Sequence, residues 1–340
     1  MPMPTNRAEF RCETESSYDG TPTLGVGTVI YLESFSSTVS HNMKPRNGMS
    51  PFAPGFKPYP TLTTGEFSGQ CFISPVTLTV GTERPTIEPI LRMVGFEAAA
   101  AATPSGSKTV TYNMRAHGQG SAALKHTEYD STDAETNTTT MTGCRAQGTI
   151  KLVGDGAGTI DFAGQAATTT KTGVSGSPPT LTYAGDCPIV GGAGTVTLTE
   201  LGGDAVASGL LHDAEFTFYP VSPANGLGAR VINMRPAGGG MEANLTLEQE
   251  SQSDWDPYAF ALAKTAVNMH IALPAPAAGG DSVEFDALLC IMDVSSEDGP
   301  AGNLVWSLSC IVIFPEVGSD GGGIAPVEDV FSITYRTTDP

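Results

Sequence analysis

Apolar and polar residues alternate with a period of two along most of this chain. Val110, Tyr112 and Met114 share one face of SKTVTYNM, and Val196 and Leu198 share one in GTVTLTEL. The same holds for Phe216 and Phe218 in EFTFYP and for Leu245 and Leu247 in ANLTLEQE. SVEFDALLCIM, LVWSLSCIVIF and VFSITYR carry the pattern toward the C-terminus, and an earlier run, Val76, Leu78 and Val80, stops at Gly81. Period two lays one side of each strand on a core and leaves the other elsewhere, so a many-stranded β fold is expected. In GTIKLVGDGAGTIDFAG, Ile150 with Leu152 and Ile160 with Phe162 read as two strands of a hairpin. Its glycine-rich link lacks the lysine and following helix of a phosphate loop.

Two phrases change period. PTIEPILRMVGF places Ile87, Leu91 and Val94 on one helical face. Thr86 is the expected cap, Pro89 sits in the first turn, Gly95 closes the helix and Phe96 packs back on it. About two turns of helix are marginal alone, so these four apolar residues are expected to fix it to the sheet. SDWDPYAFALAK reads as a second short helix, capped by Asp254 or Asp256 and led by Pro257, with Tyr258, Ala261 and Leu262 as its buried stripe.

Residues 1–60 read as an extended N-terminal arm. They hold one strand candidate at 29–31, and their Pro- and Gly-dense end carries Phe52, Phe56 and Tyr59 as docking aromatics. Residues 61–340 read as one β domain with polar insertions near 118–143 and 164–180, the first a long loop or extended hairpin.

Charge narrows the function. With 36 acidic and 17 basic residues the formal charge is −19, and no Lys/Arg cluster suits a wrapped duplex. Such a surface repels polyanions. The six cysteines are far apart, and Cys290 and Cys310 lie in apolar runs, which points to buried free thiols and a reducing compartment. The five histidines show no metal-ligand spacing, and no serine or cysteine has a catalytic setting. The expectation is a protein without catalytic residues, metal or cofactor. The start of the chain has no apolar stretch of a signal peptide, and no apolar run is long enough to cross a bilayer, so no membrane insertion by this chain is expected.

The order of phrases adds a family. ESSYDG, the aromatic and proline-rich stretch, GEFSGQCF, ERPTIEPILRMVGFEAA, SKTVTYNM, MTGCRAQGTIKLVGDGAGTIDFAG, ARVINMRPAGGGMEANLTLE, DPYAF and VEDVFSITYR together resemble the major tail tube proteins of long-tailed bacteriophages. The resemblance implies a mainly β fold, a tail-tube-like β-sandwich or barrel with one or two short flanking helices, an extended arm and long loops. It implies a virion structural protein, assembled in the host cytoplasm, whose hexameric rings stack into the tail tube. Double-stranded DNA would pass through the lumen without sequence recognition, and tape-measure, terminator and baseplate or tip proteins would be partners. Lys125, Glu128, Tyr129 and Asp130 then become candidates for ring-to-ring stacking, and Asp133 and Glu135 for an acidic lumen. Rival readings are another phage ring, connector or decoration protein, or a carbohydrate- or cell-binding β-sandwich, with Tyr183, Tyr219 and Trp306 as groove aromatics.

Overall fold

The computed structural model of the chain describes residues 7–20, 24, 29–44, 59–74, 84–98, 107–114, 120–129, 135–154, 156–173, 195–200, 205–218, 241–248, 255–274, 282–298, 304–313 and 331–338. In chain order its first half contains β1 (Arg7–Thr14), β2 (Leu32–Lys44), β3 (Tyr59–Phe72), α1 (Glu88–Met93), β4 (Phe96–Ala98), β5 (Ser107–Met114), β6 (Ala122–Tyr129), β7 (Glu135–Val153), β8 (Thr159–Ala166) and β9 (Thr168–Thr172). The second half contains β10 (Thr195–Glu200), β11 (Ala205–Phe218), β12 (Met241–Glu248), α2 (Pro257–Ala263), β13 (Ala266–Pro274), β14 (Ser282–Asp298), β15 (Leu304–Val312) and β16 (Phe331–Thr338). The fold is mainly β, one extensive antiparallel sheet system with two short helices.

The main path runs β2-β3-β8-β7-β11-β10-β13-β14-β16-β5-β4. β12 and β15 join β11 to β14 by a second route, so β10, β11, β12, β15, β14 and β13 form a circuit in which each strand pairs with two others of the set. Both long strands of that circuit carry bulges, between Leu211 and Asp213 and between Ile291 and Asp293. A bulge bends a strand and increases its twist, which lets it exchange one set of neighbours for another.

β7 makes the other large turn. Its first half pairs with β6 and β9, its second half with β8 and β11. The change comes at Gly143, where φ is +62° and an added Cβ would lie 2.6 Å from the Ala167 side chain, so only glycine fits without strain. Folded over in this way, β6 and β1 return above β2, β3 and β8: Phe10 meets Phe35 at 4.7 Å and Phe162 at 6.5 Å, and Phe35 meets His126 at 4.9 Å between ring centroids.

The alternation read from the sequence is the burial pattern. Ile150 pairs with Ile160, Phe285 with Ile333 and Leu245 with Leu308, all buried. Phe96, Phe216, Phe218 and Phe331 form an aromatic knot with centroids 5.1–5.7 Å apart. Each such ring contributes about 1.5–3 kcal/mol by leaving water.

Four expectations change. Residues 7–14 and 32–44, expected within an arm, are sheet strands, because Phe10 and Cys12 alternate into the core and β2 pairs along β3. Of the two polar insertions, 118–143 takes the extended-hairpin form of its two readings, as the antiparallel β6–β7 ribbon, whereas 164–172 is strand. Thr86 does not cap α1: the Glu88 N–H donates to the Pro85 carbonyl at 2.9 Å, so a turn supplies the acceptor that a hydroxyl was expected to provide. On α2, Asp256 is the cap, bonding the N–H groups of Tyr258 and Ala259, but the stripe is displaced. Leu262 is 88 % exposed and Tyr258 44 %, while Trp255 and Pro257 are buried and Phe260 and Ala261 pack on the core. Trp255, Pro257, Phe260 and Ala261 seat the two turns of α2 and leave Leu262 on the solvent side. The run Val76 to Val80 lies outside the described residues.

Candidate functional site

Among the described residues a wide polar surface is the outward face shared by β2, β3, β8, β7, β11 and β12. In register across it lie Ser34, Gln70, Asp161, Thr149, Thr217 and Glu242, with Ser36, Ser68, Ala163 and Gln147 one row over and Lys151, Glu215 and Asn244 on the other side. None of these side chains is buried, whereas their neighbours Phe67, Ile160, Ile150, Phe216 and Leu245 are. Glu66, Asp161, Glu215 and Glu242 outnumber the cations Lys151 and Arg145. Asp161 is held by Lys151 Nζ at 2.8 Å and by Gln70 Nε2 at 2.6 Å. Arg145 lies 4.6 Å over the ring of Tyr18. The face thus carries hydroxyls, amides and carboxylates, and its cations Lys151 and Arg145 are engaged.

A narrower polar face lies across β13, β14, β16 and β5. There His270 Nδ1 is 2.7 Å from Asp286, Arg336 donates to Glu284 at 2.9 Å, and the hydroxyls of Thr111 and Thr334 are 3.1 Å apart.

Edges matter as much as faces. β2 pairs with β3 in unbroken register from Ser34 to Asn42, and no second described strand pairs with it. This stretch contains neither proline nor lysine, the residues that usually protect an edge. At the other end of the path β4 covers only Tyr112 to Met114 of β5, leaving Ser107 to Thr111 paired on one side among the described strands.

The stacking and lumen candidates gather on the β6–β7 ribbon. Lys125, Glu128 and Tyr129 are on β6, and the Tyr129 hydroxyl donates to the buried Glu9 at 2.6 Å, which ties that residue to β1. Glu135 opens β7 opposite Tyr129, far along the ribbon from the wide polar face. Asp130 and Asp133 lie outside the described residues, as do Phe52 and Phe56; Tyr59 opens β3 opposite Lys44. Ile87, Leu91, Val94 and Phe96 are all buried. Of the groove aromatics, Trp306 is buried, with its ring 5.5 Å from that of Tyr258, and Tyr183 and Tyr219 lie outside the described residues.

One feature escaped the sequence reading. Glu15 and Asp19 of ESSYDG hold the β7 corner: Glu15 accepts the N–H of Gly143 at 2.9 Å and the Ser121 hydroxyl at 2.5 Å. Asp19, itself at φ +56°, accepts the hydroxyls of Thr142 at 2.5 Å and Thr168 at 3.1 Å. The signal was the Asp-Gly pair after acidic and serine residues, a turn signature whose long-range targets no local pattern names.

Cys12, Cys71, Cys144, Cys290 and Cys310 are free and buried; Cys187 lies outside the described residues. Burial pushes the Cys71 and Cys310 thiols up to about 12. Among the described residues no group of three or more His, Cys, Asp or Glu is placed to hold a metal ion, and no helix is long and apolar enough to cross a membrane. No protein-family model matches the chain, and no curated protein matches it.

Proposed function

We propose that this chain is a virion structural protein, the subunit of a phage tail tube, whose β-sandwich and six-stranded barrel circuit assemble into hexameric rings stacked around a channel for double-stranded DNA. The observation that carries the reading is the wide polar face ending at β2, a long strand that among the described strands pairs on one side only. Such an edge invites another strand, and joining unlike edges head to tail around a closed ring satisfies it in every subunit.

In that arrangement the face bearing Glu66, Asp161, Glu215 and Glu242 lines the lumen. Carboxylates on the wall repel phosphates, and at a Debye length of about 8 Å in physiological salt only wall residues act on the duplex. Small hydroxyl and amide side chains leave the wall smooth. The lumen therefore moves from Asp133 and Glu135 to this face. Rings would stack through the β6–β7 ribbon, with tape-measure, terminator and tip proteins at the tube ends, in the virion tail.

Negative-stain electron microscopy and sedimentation velocity over a range of concentration test it. Rings or striated tubes with a central channel are expected. Monomers at every concentration, with and without a tube-initiating complex, would remove the reading in favour of a monomeric binding module.

A further inference from the structure

Most of the described ion pairs match one cation to one carboxylate: Arg11 to Glu9, Lys151 to Asp161, Arg336 to Glu284. The face of α1 does not. Arg84 Nη1 and Arg92 Nε lie 2.6 Å and 3.0 Å from the same oxygen, Oε1 of Glu88. The spacing i, i+4 puts Glu88 and Arg92 on one side of α1, and Arg84, in the segment leading into the helix, reaches the same carboxylate. Glu88 is buried, its charge committed, while the side chain of Arg84 is 47 % exposed and that of Arg92 28 %. Among the described residues this cluster sums to one positive charge, two guanidiniums against one carboxylate, in a chain of net −19. Beneath, the buried Tyr112 hydroxyl sits beside Arg84 without a well-formed hydrogen-bond partner. Burial, and then Glu88, hold that phenol protonated. The cluster is rich in donors and poor in acceptors.

We propose that the Arg84–Glu88–Arg92 face of α1 docks an exposed carboxylate from a second copy of this chain. The guanidinium fork of Arg84 has N–H groups that Glu88 does not use, and a carboxylate matches their geometry. The occupant follows from charge: with 36 acids against 17 bases, a copy of this chain carries many carboxylates beyond those assigned to the lumen, exposed Glu33 and Glu200 among them. In self-association of so acidic a molecule, an uncompensated cation sets register and lowers repulsion. The inference rests on the self-assembly proposed above.

The test uses the full chain. Arg84→Lys protein, an equal mixture of ¹⁵N-labelled and unlabelled copies, is treated with a zero-length carbodiimide and analysed by mass spectrometry. A peptide joining position 84 to an Asp or Glu of the other isotope is expected. In parallel, Arg84→Gln is expected to weaken self-association about tenfold, while the protein still unfolds cooperatively because Arg92 keeps the buried Glu88 paired. Crosslinks to Glu88 of the same copy alone, or an Arg84→Gln protein that assembles as tightly as the parent, would overturn the proposal and leave the tube reading standing. A parent chain that never self-associates removes both.

Discussion

The Glu15 carboxylate accepts the backbone N–H of Gly143 across 2.9 Å, joining the turn after β1 to the point where β7 leaves one group of strands for another. Each interaction of this kind with a charged acceptor contributes about 1.5–3 kcal/mol. Glu15→Ala removes it and also frees the Ser121 hydroxyl. The expected loss is about 2–3 kcal/mol in urea unfolding, with Asp19→Ala, which serves the neighbouring threonines, additive only in part. Full additivity would separate the two halves of the clasp.

Gly143→Ala is expected to cost more than a change of side chain. The left-handed backbone adds about 1–2 kcal/mol, and the contact with Ala167 adds overpacking of about 1–3 kcal/mol. A midpoint shift equal to that of an exposed strand substitution would show that β7 does not need this corner.

His126 gives a pH dependence. It lies between Phe35 and the β1 partner Phe10, and burial lowers its pKa, with Lys171 acting the same way and Glu128 opposing. Because the folded value is depressed, the unfolded chain takes up the proton first as pH falls. The neutral imidazole's contribution is therefore present above the unfolded pKa, about 6.5, and is lost on acidification below it. Between about pH 7.5 and pH 5.5 the parent should lose more unfolding free energy than His126→Gln; equal losses would place the titration elsewhere.

The helices differ in what they bear. Leu91→Ala in α1 is expected to cost about 2–5 kcal/mol because its site is fully closed. Leu262→Ser in α2 is expected to stay within about 0.5 kcal/mol, since that side chain stands in solvent. Chemical denaturation of the two variants side by side decides this.

Legibility followed the strength of the period. β10, β11, β12, β14, β15 and β16 could be read because Val196 and Leu198, or Val283 and Phe285, alternate with polar neighbours that are not buried; β13 was not read. β1 was missed because its non-core side is Glu9, Arg11 and Glu13, which reads as a solvated tail until Tyr129 and Leu24 are seen to engage it. The α2 stripe failed because spacing marks which residues share a side, not whether the helix lies along the sheet or stands on its end. The polar face depends on register between distant strands, and no single stretch of residues contains that information; the Arg84–Glu88–Arg92 cluster is local, and its i, i+4 charge spacing was there to be read. Thr86 was chosen as a cap from its type; the Pro85 carbonyl did the same work from the backbone.

The last described strand, β16, has consequences for synthesis. It lies between β14 and β5, pairing Tyr335 with both Val283 and Val110. β5 leaves the ribosome long before the neighbour it pairs with, Thr111 and Thr334 lying 223 positions apart. Without β16, the β5 edge and the ring of Tyr112, which meets Tyr335 at 6.0 Å, lose their cover. β16 therefore closes a seam between parts of the sheet that are made far apart in time, and the seam stays open until it arrives.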